Sequence, residues 1–427
     1  MAEPLKRRDF IKKTRLGLAG FTLLTTMPSK VVASDRIRIA HIGIGGMGRN
    51  HIQWFSDLPE VEIVALCDLD EDHLASGLKL TQKMQPGRKV TGYGDFRRIL
   101  ERKDIDAITC ATPDHWHAQI AIMAFQSGKD VYGEKPLSYD VHEGKQMLKN
   151  LTDHNRIFQL GTQIHAGENY HRSVEIIRSG ILGRIHTVRL WKNGLSPGLG
   201  FPEPVTPPET LNWDMWLGTA PEVPYVPERC HRTYRYFLDY SGGVYADFWC
   251  HIADIVFWSL QPEGLKRITS RGESPQGIAD APEWIDVDFE FNDLNIYWTT
   301  QPPDIPGAAQ RSIGAYFEGE NGTLICDYES REININNRIV HDIPEIDQML
   351  ERSPGHQQNF LESIKSRSQP ESNLAYVRKM TLPMHLGLIS WRLNRSLNWD
   401  DEKESFIGDE EANRLLARKG RKKWILI

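Results

Sequence analysis

The sequence contains few cysteines, and they are not arranged for cross-linking. Five occur among 427 residues, and no two form a Cys-x-x-Cys pair. This odd, scattered set argues against a disulfide scaffold. Two of them precede a histidine, in Cys230-His231 and Cys250-His251, but adjacent residues do not match the usual spacing of zinc ligands. We therefore predict no metal site.

The chain also lacks a long apolar run and an excess of positive charge. The apolar stretch at residues 16–27 is short and rich in threonine and glycine, so we expect no stable membrane anchor. Lysine and arginine number 51 against 57 acidic residues, a net charge of −6, which argues against nucleic acid as a partner. A length of 427 residues indicates about two domains with separate cores.

Residues 1–34 differ from the rest of the chain in charge. They contain seven lysines and arginines but only two acidic residues. The run Arg-Arg-Asp-Phe at residues 7–10 resembles a twin-arginine export signal, and the small residues near Ala33 suit a signal peptidase. We predict a signal segment over residues 1–34 and a periplasmic or exported protein. The alternative is an amphipathic N-terminal helix or a disordered tail.

A glycine-rich turn follows the first predicted strand. Residues 43–48 read Gly-Ile-Gly-Gly-Met-Gly and fit the G-x-G-x-x-G pattern of dinucleotide-binding folds. Gly43 permits the tight turn, Gly45 lets the backbone approach a pyrophosphate, and Gly48 lets the helix pack on the strand. The helix that begins here offers free N–H groups to the phosphates.

Asp68 ends the second predicted strand, about 20 residues after Gly48, where a ribose-binding acid is expected. A carboxylate there repels a 2′-phosphate, which favours NAD over NADP; the alternative for Asp68 is a helix cap. Strands and helices, among them a helix predicted over residues 95–102, alternate up to residue 160, a pattern that predicts a parallel sheet with helices on both faces. We assign residues 35–160 to a Rossmann domain and residues 161–427 to an α+β substrate and oligomerisation domain.

Two further turns are expected at the carboxyl edge of this sheet, where open α/β sheets bind ligands. A short predicted strand runs into Glu-Lys-Pro at residues 134–136. Because proline disfavours helix at the residue before it, Lys135 is expected on a constrained turn. Residues 112–117 read Thr-Pro-Asp-His-Trp-His, and Trp116 and His117 would flank a nicotinamide or ribose. The alternative for the Glu-Lys-Pro turn is a surface loop with a solvated lysine. The alternative for residues 112–117 is that the histidine and tryptophan only pack and cap.

The second half contains a proline-rich segment and a mostly apolar helix. Residues 194–240 contain eight prolines and several aromatics, which suits an ordered wall around a site; we expect this segment to select the substrate. In the helix predicted at residues 242–259, Asp247 and His251 share a face. A carboxylate near a histidine fixes its tautomer and raises its basicity, which suits a proton acceptor. The alternative is a core histidine with a capping aspartate.

Alternating strands between residues 266 and 343 predict a mostly antiparallel sheet. We expect one face of this sheet to pair subunits in a homo-oligomer. A long apolar helix is predicted around residues 380–397. The segment at residues 409–419 is predicted to pack back on the body of the protein.

These motifs together resemble the Gfo/Idh/MocA family of NAD(P)-dependent oxidoreductases. The resemblance rests on the stretches at residues 43–48, 112–117, 134–136, 242–251, 398–400 and 408–413. It implies an α/β fold: an N-terminal Rossmann doubly wound parallel sheet plus a C-terminal α+β domain with a large, mostly antiparallel open sheet.

The resemblance also implies a catalytic set of Lys135, Asp247 and His251. His251 would take a hydroxyl proton, Asp247 would orient it and balance its charge, and Lys135 would stabilise the developing alkoxide. The expected cofactor contacts are Gly43, Gly45, Met47, Gly48, Asp68, Thr112, Trp116, His117, Glu134, Lys135 and Gln163. The expected substrate contacts are His165, Tyr234 and Tyr236.

We therefore predict hydride transfer between a tightly bound NAD(P) and a secondary hydroxyl of a carbohydrate, namely a sugar, glycoside or inositol. Free NAD is not expected outside the cytoplasm, so an exported enzyme would keep its cofactor and reoxidise it in place. One alternative is an NAD-dependent, redox-assisted glycoside hydrolase or lyase. Another is a non-catalytic sugar- or nucleotide-binding sensor.

Overall fold

The computed structural model describes residues 36–424 of the chain. The predicted signal segment, residues 1–34, lies outside the described residues. The described residues belong to one compact unit. Across residues 36–424, no helix is both long and apolar enough to span a bilayer.

The first part of residues 36–424 builds a six-stranded sheet. Its strands are β1 (Ile37–Ile42), β2 (Val61–Cys67), β3 (Thr91–Tyr93), β4 (Ala107–Cys110), β5 (Asp130–Gly133) and β6 (Phe158–Leu160). The helices between them are α1 (Gly46–Ser56), α2 (Glu71–Met84), α3 (Arg97–Leu100), α4 (His117–Gln126) and α5 (Val141–Asp153). All pairings are parallel, in the order β3-β2-β1-β4-β5-β6. This confirms the predicted doubly wound sheet.

The strand order reverses between β1 and β4, which pair directly. Ligands of open α/β sheets bind beyond the carboxyl ends of the strands at such a switch point. The glycine turn follows β1, residues 112–117 follow β4, and Lys135 follows β5. The fold therefore brings three of the predicted motifs to one edge.

The remaining part of residues 36–424 builds a ten-stranded sheet. Its strands are β7 (Ile185–Lys192), β8 (Arg267–Glu273), β9 (Trp284–Glu290), β10 (Asn295–Thr299), β11 (Ile313–Gly319), β12 (Gly322–Cys326), β13 (Arg331–Ile335), β14 (Arg338–Val340), β15 (Leu397–Asp400) and β16 (Ser405–Phe406). The helices are α6 (Glu168–Arg178), α7 (Trp213–Leu217), α8 (Gly243–Leu260), α9 (His356–Ser366), α10 (Leu374–Leu393) and α11 (Glu410–Arg414). The order is β14-β13-β12-β11-β7-β10-β9-β8-β15-β16.

Among the described strands of this sheet, β7 and β10 form the single parallel pair, and every other pairing is antiparallel. Burial alternates along β9, as expected when one face of a sheet packs on a core. Helices α8 and α10 contact each other and this sheet. The mostly antiparallel second sheet is therefore confirmed, while pairing of subunits through its other face stays a prediction.

Two helices differ in length from their predictions. The helix predicted around residues 380–397 begins earlier, at Leu374, and ends at Leu393. Asn394 takes a left-handed conformation with φ of 50°, and its N–H donates to the carbonyls of Ser390 and Trp391, which ends the helix in the manner of an αL cap. The helix predicted over residues 95–102 is reduced to α3.

The C-terminal segment packs back on the first sheet's helices, as predicted. Arg418 donates to the backbone carbonyl of His115 at 2.8 Å and to the carboxylate of Glu143 at 2.8 Å. This contact ties the end of the described chain to residues 112–117, next to the carboxyl edge of the sheet.

Candidate active site

The glycine turn after β1 is tight enough to require glycine at two positions. Gly43 has a φ of +84°, and a Cβ there would lie 2.6 Å from the carbonyl oxygen of Ala111. A Cβ on Gly48 would lie 1.8 Å from the carbonyl oxygen of Gly43, so helix and strand meet as the motif predicted.

The same turn is open where a phosphate would approach. A Cβ at Gly45 or Gly46 would meet no atom within 4 Å. Helix α1 begins there, and no side chain caps its first N–H groups. Uncapped N–H groups and the positive end of a helix dipole bind anions. The residues present therefore fit the pyrophosphate of a dinucleotide.

Asp68 lies beside this turn at the end of β2 and is held in one orientation. Its Oδ2 accepts from the N–H of Ile44 at 2.6 Å, and its Oδ1 accepts from the N–H of Asp70 at 2.9 Å. Asp70, rather than Asp68, caps α2 by accepting from the N–H groups of Asp72 and His73. Asp68 is thus available for a ribose at the edge of the glycine turn.

We expect Asp68→Asn to relax the preference for NADH over NADPH. Asparagine keeps the size and one acceptor oxygen but removes the charge that would repel a 2′-phosphate, and like-charge contacts cost several kcal/mol. Titration of cofactor-free protein with NADH and NADPH should show the ratio of their Kd values changing by at least about tenfold. Asp72→Asn, which removes an exposed charge four residues along, should leave the ratio as it is; an unchanged ratio in Asp68→Asn would exclude Asp68 from cofactor selection.

A cavity of about 790 Å³ begins at the glycine turn. Its size lies within the usual range for ligand pockets. Both parts of the fold contribute to its wall. Among the predicted site residues, its wall contains Gly43, Gly45, Met47, Asp68, Thr112, Trp116, Glu134, Lys135, Tyr234, Tyr236 and Asp247.

An ion pair in this wall joins the two parts of the fold. The ammonium of Lys135, after β5, donates to Asp247 Oδ1 of α8 at 2.5 Å and to the backbone carbonyl of Asp247 at 3.0 Å. Arg235 Nε donates to the same carboxylate oxygen at 3.1 Å. Burial alone would raise the pKa of Asp247, but the charges of Lys135 and Arg235 outweigh it and hold that pKa well below its usual range. Asp247 is therefore ionised between two cations.

His251 lies one turn after Asp247 on α8, but two expectations about it are wrong. Its Nδ1 contacts the hydroxyl of Tyr328 at 2.6 Å, whereas Asp247 is held by Lys135 and Arg235, so Asp247 does not orient the ring. Burial, followed by the nearby charge of Lys135, lowers the pKa of His251 to about 4 despite the opposing charge of Asp247. Its basicity is therefore lowered rather than raised, because burial and the charge of Lys135 outweigh the charge of Asp247.

His251 is not part of the wall of the large cavity, although Lys135, Asp247 and Glu134 all act electrostatically on it. The preceding turn of α8 contributes Asp247 and Phe248 to that wall. The Phe248 ring lies 5.4 Å from that of His251, centroid to centroid. The imidazole therefore lies next to a residue of the cavity wall.

Four of the other predicted contacts lie outside the cavity wall. His117 is buried, with its ring nitrogens 2.7 Å from the carbonyl of Pro136 and 2.9 Å from that of Thr112, so it bridges the two turns. Gly48 packs on the glycine turn, and Gln163 is exposed. His165 is buried against Asp254 at 3.0 Å and stacks on Trp258; it belongs to the core of the second part rather than to a substrate surface.

Glu134 is held against the first part of the fold. Its Oε1 contacts His51 Nε2 of α1 at 2.8 Å, and a Cβ on Gly161 would lie 2.6 Å from the same oxygen. Burial would raise the pKa of Glu134, but the hydrogen bond from His51 and the charges around it lower it. Glu134 is thus a fixed carboxylate next to Lys135.

Sequence reasoning missed Arg235, Tyr328 and Asp114. Asp114 is buried and accepts from the Tyr234 hydroxyl at 3.0 Å and the Ser241 hydroxyl at 2.5 Å, and burial raises its pKa. Arg235 lies between Tyr234 and Tyr236 in the sequence, so its position next to two predicted substrate contacts could have marked it as a site residue. Tyr328 lies between β12 and β13, and no local pattern connects it to α8.

Two family descriptions match the chain. "Oxidoreductase family, NAD-binding Rossmann fold", of Gfo/Idh/MocA type, matches residues 37–162. "Oxidoreductase family, C-terminal alpha/beta domain", of the same type, matches residues 176–426.

Curated relatives match over part of their length. A glycosyl hydrolase family 109 protein of Shewanella pealeana is 29% identical over 204 residues, which are 42% of this chain and 44% of that protein. A protein of the same name from Shewanella baltica is 27% identical over 203 residues, again 42% and 44%. The chain therefore matches less than half the length of these relatives.

Solved structures with a similar fold cover most of the chain. An NAD-binding protein from Listeria innocua has 18% identity and a TM-score of 0.62, covering 85% of this chain and 97% of that one. The WlbA dehydrogenase from Bordetella pertussis, in complex with NADH and UDP-GlcNAcA, has 17% identity and a TM-score of 0.62, covering 86% and 99%. Levoglucosan dehydrogenase, in complex with NADH and levoglucosan, has 17% identity and a TM-score of 0.60, covering 85% and 99%.

Proposed function

Because the chain belongs to the Gfo/Idh/MocA oxidoreductase family and carries its NAD-binding Rossmann domain, we propose that it transfers a hydride between bound NAD and a secondary hydroxyl of a sugar, glycoside or inositol. The observation that carries this proposal is the ion pair between Lys135 and Asp247 at 2.5 Å. It lies in the wall of the same cavity as the glycine turn. A fixed ammonium therefore faces the space in which a substrate would meet the cofactor.

Lys135 is proposed to hold the reacting oxygen. Its side chain is only 8% exposed, so its charge acts in a poorly hydrated site where electrostatic stabilisation is strong. Asp247 and Arg235 fix its position before the substrate arrives. As the hydroxyl loses its proton, Lys135 stabilises the developing negative charge on oxygen.

His251 is proposed to receive that proton. With a pKa of about 4, set by burial and by Lys135, its imidazole is neutral near pH 7 and has a free lone pair. In the proposed tautomer Nδ1–H donates to the Tyr328 hydroxyl, so Nε2 carries the lone pair, and none of the described residues hydrogen-bonds to Nε2. NAD held at the glycine turn would supply the hydride acceptor, and His251 would take the proton of the substrate hydroxyl as it becomes a carbonyl.

The predicted export signal adds a condition to this proposal. If the protein works outside the cytoplasm, its NAD must stay bound and be reoxidised in place. Reoxidation in place can occur in two forms. In the first form, a second substrate that contains a carbonyl group accepts the hydride. In the other form, the same sugar takes the hydride back at the end of the reaction.

The second form is our second candidate function, redox-assisted glycoside cleavage. The curated relatives named glycosyl hydrolase family 109 proteins favour it. Oxidation of a ring hydroxyl acidifies the C–H beside the new carbonyl, so a base can remove that proton and the glycosidic substituent leaves. Water adds, and return of the hydride restores the sugar without net oxidation.

One experiment tests both candidates and the sensor alternative. Native mass spectrometry of protein purified without added nucleotide should show one NAD(H) per chain. The same preparation is then given a panel of nitrophenyl glycosides while reduced nicotinamide and released nitrophenol are recorded together. A keto-sugar with reduced cofactor identifies the oxidoreductase. Aglycone without net reduction identifies the glycosidase, and glycoside binding without either product would overturn both in favour of a sensor.

A further inference from the structure

Three polar side chains converge beside Asp68, where the segment at residues 194–240 crosses to the start of α2. His231 Nε2 lies 3.3 Å from Asp70 Oδ2, and the rings of His231 and His73 lie 4.6 Å apart, centroid to centroid. One ligand atom from each of Asp70, His73 and His231 lies within 4.8 Å of the other two. Two imidazole nitrogens and a carboxylate oxygen are a zinc-binding set.

We propose that Asp70, His73 and His231 bind one divalent transition-metal ion of the zinc type, with the fourth position open to the cavity or to solvent. In a tetrahedral zinc site with bonds of about 2.0–2.2 Å, two ligand atoms lie about 3.4 Å apart. The 3.3 Å between Nε2 of His231 and Oδ2 of Asp70 is close to that value. The third ligand atom comes from the His73 side chain, which is 27% exposed and lies within 4.8 Å of the other two ligand atoms.

The surroundings of these side chains suit such a site. Asp70 uses Oδ1 to cap α2, so its orientation is fixed while Oδ2 remains for the ion. Nδ1 of His73 lies 3.7 Å from Asp68 Oδ2, which leaves Nε2 for the metal. Ligating histidines commonly direct their other nitrogen to a carboxylate, which fixes the tautomer and increases affinity. The charges of Asp68 and Asp70 together balance that of a divalent ion.

An ion at this place would connect residues 194–240 to α2. The two segments already touch through their backbones: the N–H of Glu71 donates to Thr210 at 3.0 Å, and the N–H of Asn212 donates to Leu69 at 3.2 Å. His231 lines the same cavity wall as Asp68. The bound metal would therefore hold this side of the cavity closed and slow the release of a nucleotide. The sequence predicted no metal site because only the adjacent pairs Cys230-His231 and Cys250-His251 were weighed as ligands. In the structure, Cys230 is buried beside Tyr225.

The test titrates zinc chloride into full-length protein that carries no polyhistidine tag and has been treated with EDTA and desalted. Calorimetry should show one ion bound per chain. His73→Ala and His231→Ala should each weaken binding by about tenfold or more, whereas His154→Ala, which removes an exposed imidazole elsewhere, should bind like the parent. Magnesium should bind weakly, because it prefers all-oxygen ligands.

Thermal unfolding provides a second measurement on the same proteins. Zinc should raise the Tm of the parent, because a ligand that binds the folded state stabilises it, and should not raise that of His231→Ala. Since the His231 side chain is 43% exposed, its loss should leave the fold intact. An absence of zinc binding, or equal binding by parent and both variants, would overturn the proposal. Neither calorimetry nor thermal unfolding requires enzymatic turnover. The metal proposal can therefore fail or succeed independently of the proposed hydride transfer.

Discussion

Lys135→Met is expected to lower kcat for carbohydrate oxidation by about 10²–10³-fold, the usual cost of removing one donor that stabilises an oxyanion. Methionine keeps the length of the side chain but removes the ammonium that faces the cavity. Because this charge acts most strongly on the developing alkoxide, kcat and kcat/KM should fall together. Steady-state formation of keto-sugar from the best glycoside of the panel, with a carbonyl substrate present to reoxidise the bound cofactor, measures the effect.

The substitution should leave the fold and the cofactor in place. Asp247 keeps its contact with Arg235 at 3.1 Å, so the buried carboxylate is not left alone. Lys149→Met is a matched control, since Lys149 is 67% exposed and pairs only with Asp153 of its own helix. If Lys135→Met turned over as fast as the control, Lys135 would have no part in the chemistry and the proposed mechanism would be wrong.

For His251→Asn we expect a loss of about 10²–10⁴-fold in kcat, the usual contribution of a positioned general base. Asparagine is polar and of similar size but accepts no proton near pH 7. The parent should also show a characteristic pH profile. Burial and the charge of Lys135 lower the pKa of His251 to about 4, so the base is neutral above that pH. The oxidation rate should therefore stay level from pH 7 down to about 5 and fall as the pH drops through about 4.

The acid limb of that profile distinguishes a catalytic role from a structural one. In His251→Asn the residual rate should no longer follow a titration near pH 4, whereas His154→Asn should retain the parent's profile. A variant that lost stability alone would show a lower rate with the same limb. A parent profile with its midpoint near pH 6.5, the usual value for histidine, would contradict the neutral, buried environment that the structure gives to this ring.

The parts of the site that sequence could predict are those made by contiguous residues. The glycine turn, the Glu-Lys-Pro turn and the spacing of Asp247 and His251 each depend on local backbone geometry, which short patterns record well. The parallel arrangement of the strands also predicts that the glycine turn and the Glu-Lys-Pro turn lie at the same edge of the sheet. The meeting of Lys135 with Asp247, 112 residues apart, was expected only because the family resemblance implied it.

What sequence missed depends on contacts between distant segments. Tyr328 contacts His251 although the two residues are 77 positions apart in the sequence, and no pattern near Tyr328 indicates that it contacts α8. Arg235 contacts the carboxylate that was expected to serve His251, and burial together with Lys135 lowers the pKa that was expected to rise. The bounds of β8 could not be read from its sequence, Arg-Ile-Thr-Ser-Arg-Gly-Glu, because it carries little apolar alternation; its pairing with β9 decides its conformation.

The parallel pairing of β7 with β10 has a consequence for how this protein can acquire new substrates. The chain between these strands contains residues 194–240 and α8, so the proline-rich stretch starts at the end of one central strand and stops at the buried helix beside it. Both attachment points lie in regular secondary structure, at the end of β7 and at the start of α8. Exchanging residues 194–233 between homologous proteins would therefore alter what enters the cavity, while Arg235 still holds Asp247 and Lys135 and His251 keep their places. Divergence of substrate range within this lineage would then need no change in either sheet.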